Sequence, residues 1–122
     1  MKTQGLTIIH GDTTIFDVFI TQDGVPLNVT GATFWFTAKY LYTDADNATG
    51  AFQLYSPSNG ITITDATGGK IRITIPTTAT SSLPYVATVM VYDLQMKDAS
   101  TNIRTLTGGN LTVLPDATRT TT

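Results

Sequence analysis

The sequence predicts an all-β domain built from two packed antiparallel sheets, and three observations carry that expectation. Apolar and polar residues alternate with a period of two in several short runs, of which Thr33 to Leu41 is the clearest. Clusters of Gly, Asp, Asn and Pro separate those runs about every dozen residues. Threonine supplies about one residue in five and every acidic residue is Asp, so the side chains that usually populate exposed helix faces are scarce.

Taken in order, Leu6 to His10 is a short β-branched run closed by Gly11-Asp12. Thr13 to Thr21 follows with apolar residues on both faces, Ile15 and Phe19 against Phe16, Val18 and Ile20, which predicts a central strand. Gln22-Asp23-Gly24 is a turn, and Pro26, lacking an N–H, is expected to stop further ladder pairing. In Thr33 to Leu41 the core side takes Phe34, Phe36, Ala38 and Tyr40, and the other side takes Thr33, Trp35, Thr37 and Lys39. Trp35 then reads either as an interface anchor or as a ring covered by the chain's own loops.

Tyr42 to Ala51 has no periodicity and is expected to be an exposed loop. Phe52 to Ser56 is a short strand, ended by Pro57, Asn59 and Gly60. Ile61 and Ile63, the turn Asp65 to Gly69, and Ile71, Ile73 and Ile75 form a hairpin with one buried face and one wet face. Pro76 ends it, and Thr77 to Leu83 crosses over with room for one short helical turn. Tyr85 to Met96 is expected to be the longest strand, with Met90, Tyr92, Leu94 and Met96 on one face and Val89 and Val91 on the other. Tyr92 should pack its ring in the core and send its hydroxyl to a backbone group. Ile103 to Thr107 and Leu111 to Leu114 complete the pattern, and Gly108-Gly109 between them reads as a bulge or a bend between sheets. The domain thus covers residues 1–115, and 116–122 is expected to be a flexible polar tail. Long uneven loops favour two layers over a closed barrel.

A chain of 122 residues has room for one core, and a core of that size is stable without disulfides. The lack of Cys removes thiol catalysis, zinc thiolate sites and redox switching. A net charge of -2 with seven dispersed basic residues argues against a nucleic-acid partner. No apolar stretch approaches membrane-spanning length, so no membrane partner is expected, and synthesis in a cytosol is the expectation for a chain that opens without a signal-peptide core.

No catalytic residue, metal ligand or cofactor site is expected. His10 is the only histidine, stands at a strand end beside Gly11, and is expected to face solvent in a structural role. Asp44 and Asp46 faintly suggest a calcium loop, but Ala48 occupies the next ligand position and the bidentate Glu is missing. The three Asn-x-Thr triplets, at Asn28, Asn47 and Asn110, are chance matches in so Thr-rich a chain. Gly68-Gly69-Lys70 lacks the strand-loop-helix setting of a phosphate cradle.

Read together, Gly11-Asp12-Thr13, Gly24-Val25-Pro26 with Leu27 to Ala32, Gly69 to Ile73, Tyr92-Asp93-Leu94, Ile103 to Leu106 and Gly109 to Pro115 form an ordered series spanning nearly the whole chain. The series resembles the immunoglobulin-like domains of tailed-bacteriophage structural proteins, in particular the N-terminal domain of the phage baseplate upper protein family. That resemblance implies an immunoglobulin-like two-sheet sandwich and a virion component of head, neck, tail or baseplate. Its partners would be other virion structural proteins or further copies of itself, and it would be made in a bacterial cytoplasm. The chain ends soon after the sandwich, which favours a stand-alone accessory or decoration role over that of the multidomain members.

The candidate interface residues are Trp35, Leu114, Pro115 and Arg119, because polar ends such as Leu114 to Thr122 can order on a neighbour. The alternative is a module that recognises host-surface carbohydrate, with Trp35, Tyr40, Tyr42 and Tyr55 as stacking faces beside the Asp44 loop.

Overall fold

The computed structural model describes residues 2–117. Its strands are β1 (Lys2–Thr3), β2 (Leu6–Ile9), β3 (Thr14–Phe19), β4 (Thr21–Gln22), β5 (Val25–Pro26), β6 (Thr33–Lys39), β7 (Phe52–Tyr55), β8 (Ile61–Asp65), β9 (Lys70–Ile75), β10 (Thr88–Lys97) and β11 (Ile103–Leu114). One short 3₁₀ turn, Thr77–Thr80, lies in the crossing segment where a helical turn was expected.

The strands form a large sheet in the order β1-β11-β10-β6-β7, with β2 also paired to β11, a second sheet in the order β3-β9-β8, and the small β4-β5 ribbon. Pairing is antiparallel except that β1 and β2 run parallel to β11. Both main sheets turn one face to a common core. From the large sheet come Phe34, Phe36, Met90, Tyr92, Leu94, Met96, Leu111 and Val113, and from the second come Ile61, Ile71, Ile73 and Ile75. The period-two pattern explains this division, since alternate side chains of a strand must point to opposite faces. The alternation in β6, β9 and β10 thus reads as expected, with Phe34, Ile71 and Tyr92 all buried, but Tyr40, expected on the core side, lies beyond the end of β6 and is exposed.

Five further expectations are corrected. First, β3 is an edge strand: it pairs with β9 on one side and, among the described residues, has no ladder partner on the other. Ile15 and Phe19 are accordingly 57% and 56% exposed, because among the described residues no strand or loop packs over the second apolar face, where only the Lys70 ammonium stands above the Phe19 ring at 6.0 Å. Second, Pro26 does not end pairing, since it sits opposite Thr21 in the β4-β5 ribbon, a position where its missing N–H is tolerated. Third, β10 begins at Thr88, so the longest strand is β11.

Fourth, Gly108 and Gly109 do not interrupt β11. They stay in register with Asp93 and Tyr92, and the irregularity falls nearby, between Leu94 and Gln95. The glycines serve close approach instead: a Cβ on Gly109, where φ is 153°, would lie 2.7 Å from the Gln4 carbonyl oxygen, and one on Gly108 2.9 Å from that of Tyr92. Fifth, His10 is not solvent-facing but 4% exposed, with Nε2 3.1 Å from the Leu83 carbonyl oxygen and its ring 4.3 Å from that of Tyr85. Near it, Gly11 N–H donates to Thr80 Oγ1 at 2.9 Å, so the end of β2 is tied to the crossing segment.

Candidate binding groove

Because Phe34, Phe36 and Ala38 face the core, their neighbours Trp35, Thr37 and Lys39 are carried to the outer face of the large sheet. Cross-strand register sets partners beside them. Gln95, Trp35 and Tyr55 make one rung across β10, β6 and β7, and Asp93, Thr37 and Gln53 make the next. Rungs two residues apart are separated by about 6.6 Å along the strands. An aromatic row therefore lies beside a row of hydrogen-bonding groups.

The loop after β6 walls one end of this surface. Lys39 Nζ donates to the Asp44 carbonyl oxygen at 2.8 Å and to Asp46 Oδ1 at 2.9 Å, while Asp44 Oδ2 accepts from the Leu41 N–H at 3.2 Å. Fixed in this way, the loop brings Tyr42 and Asp46 over the sheet and closes a groove of about 360 Å³, with Val91 and Ile103 also in its lining. Thr37, only 7% exposed, is its floor. Gln53 Nε2 donates to Thr37 Oγ1 at 3.0 Å and reaches Asp46 Oδ2 at 3.4 Å, and Gln95 Nε2 reaches Asp93 Oδ2 at 3.4 Å. Burial pushes the Asp93 carboxyl above its ordinary range; Lys39 partly offsets this and Asp46 reinforces it.

A second cavity, of about 450 Å³, has the opposite chemistry. It is a seam between the unpaired edge of β3 and the stretch of large sheet formed by β2 and β11, lined by Leu6, Phe16, Val18, Ile20 and Leu106, with Gln4 and Thr107 at its polar rim, and reaching inward to Phe36. No protein-family model matches this chain, and no curated protein is significantly similar to it.

Of the four expected interface residues, three are among the described residues. Trp35 is half-buried: it stands on the outer face of the large sheet and lines the groove together with Tyr42 and Asp46 of the neighbouring loop. Leu114, 37% exposed, ends β11 opposite Ile9, and exposed Pro115 follows it. Arg119 lies outside the described residues, as does most of the tail, of which Asp116 is half-buried near Gly11. Of the four aromatic rings considered for sugar stacking, Trp35 and Tyr42 line the groove and Tyr55 stands on the Trp35 rung, whereas Tyr40 packs on Gly50. Asp93, Gln95 and Gln53 are the groove residues that the sequence reading missed. Alternation already put Asp93 and Gln95 on the outer side of β10, but only the register sets them beside Thr37 and Trp35.

Proposed function

We propose that this chain is an immunoglobulin-like sandwich that acts by binding, not catalysis, as an accessory component of a tailed-phage particle. It holds neighbouring virion proteins by accepting an extended segment of a partner along β3. The observation that supports this best is the β3 edge itself: six residues without Pro or Lys, whose one charge, Asp17, is paired with Arg72 of the neighbouring β9, with Ile15 and Phe19 exposed and an apolar seam alongside. Folded domains normally blunt such an edge with charge, proline or a covering loop, because its free N–H and C=O groups template pairing with another chain. An added strand would satisfy those groups and seat alternate side chains in the seam. Leu114 and Pro115 supply a second contact, next to the tail.

The test is mass spectrometry of purified particles from the source phage or lysogen, with particles imaged with and without this protein. The protein is expected in the particles, and F19K is expected to be depleted from them while keeping its circular dichroism spectrum. Absence of the unaltered protein from particles overturns the structural role, and full incorporation of F19K overturns the β3 edge as the docking site.

A further inference from the structure

The groove over the large sheet is a separate feature, and its chemistry differs from that of a protein interface. Its lining includes several planar groups, the Trp35 and Tyr42 rings, the Gln53 and Gln95 carboxamides and the Asp93 carboxylate, beside aliphatic Val91 and Ile103. Planar amides and carboxylates offer directional acceptors and donors to vicinal hydroxyls, and an aromatic face packs against the C–H face of a pyranose, giving the concave, partly apolar site with a few fixed polar groups that small ligands require. The spacing of about 6.6 Å between the aromatic and polar rungs matches one sugar ring.

Charge narrows the ligand class. Lys39 is paired with Asp46 and offsets Asp93 only in part, so the one cation and two carboxylates of the groove leave it net negative. An anion would meet that half-buried carboxylate and be repelled, whereas a neutral hydroxylated ligand would donate to it. The carboxylate is available for this, because among the described residues its side-chain donor is Gln95 Nε2, at a long 3.4 Å. The loop that brings in Tyr42 and Asp46 is already pinned by Lys39, so little ordering has to accompany binding.

We infer that this groove binds a neutral saccharide, one ring stacking on Trp35 with its vicinal hydroxyls shared between Asp93 and Gln53. Trp35 is the only tryptophan in the chain, so its emission reports the groove directly. The purified protein is titrated with neutral oligosaccharides of glucose, galactose, rhamnose or N-acetylglucosamine, up to about 50 mM, followed by Trp35 fluorescence and by calorimetry in parallel. A saturable response to at least one of them is expected, with no response to N-acetylneuraminic acid. D93N and Q53A, checked for folding by circular dichroism, should each weaken that response by about tenfold or more. No saturable heat or emission change with any neutral sugar overturns the inference, as does equal binding of the acidic sugar or undiminished binding by both variants. None of these readouts involves the particle or β3, so this inference and the assembly reading fail independently.

Discussion

The groove and the seam enclose similar volumes, about 360 and 450 Å³, yet are related to the core in opposite ways. The seam is an opening into the core, and Phe36, Ile73, Tyr92 and Leu94 are among its lining residues. The groove rests on the outer face of the same strands, with the sheet between it and the packed interior. β6 and β10 thus hold the fold together with one set of side chains and present chemistry with the alternate set. Changes around the seam should cost stability, and changes in the groove should cost little.

The sharpest break of that contrast is F36A. Phe36 is buried, stacks on Tyr92 with ring centroids 5.3 Å apart, and walls the seam from inside, so its loss should cost about 3–5 kcal/mol in denaturant unfolding. A cost under 1 kcal/mol would mean that the core collapses to fill the space, and the seam would not be a structural opening. Next comes G109A, whose added Cβ meets the Gln4 carbonyl at a φ that disfavours L side chains. About 2 kcal/mol of destabilisation is expected, with faster amide exchange in β1 than in β8.

Y92F is milder. It removes the hydroxyl that donates to the Gln4 carbonyl oxygen at 2.6 Å and so loosens β1 at the rim of the seam, for about 1 kcal/mol. An unchanged melting temperature would detach β1 from the stability of the seam.

The smallest effect should have the opposite sign. Because the folded carboxyl of Asp93 is raised above its unfolded value, its contribution to stability is fully present below the ordinary carboxylate range and lost as pH rises through the folded pKa. At about pH 7 the ionised group therefore opposes folding, and D93N should melt slightly higher than the parent there, with the gain vanishing near about pH 3. A D93N protein that melts lower at neutral pH would show the carboxylate to be part of the structural framework, and the contrast between groove and seam would fail.

What could be read from sequence follows how local the cause is. The inward rows of β6, β9 and β10 and the turn at Asp65 to Gly69 were legible because period and turn chemistry are written in neighbouring residues. The position of β3 was not, since apolar residues on both faces describe a central strand and an uncovered edge equally well. His10 was misread for a similar reason: the carbonyl that satisfies it belongs to Leu83, 73 residues away. Gly108-Gly109 read as a bulge or bend, because the carbonyls that approach them, Tyr92 from β10 and Gln4 from the chain between β1 and β2, are remote in sequence. The groove falls between these cases. Its residue types could be assigned to the outer face, while their convergence rests on strand register and on the Lys39 anchor of the following loop.

The parallel pairing of β1 and β2 with β11 has a mechanical consequence. Chain entry at Lys2 and chain exit at Leu114 lie toward opposite ends of the same ladder, so traction between the two ends slides β2 along β11. Hydrogen bonds arranged in that way are stretched together in shear, whereas a hairpin pulled at its open end peels one bond at a time. Tension applied between those two points therefore loads the β1–β11 and β2–β11 ladders as one set.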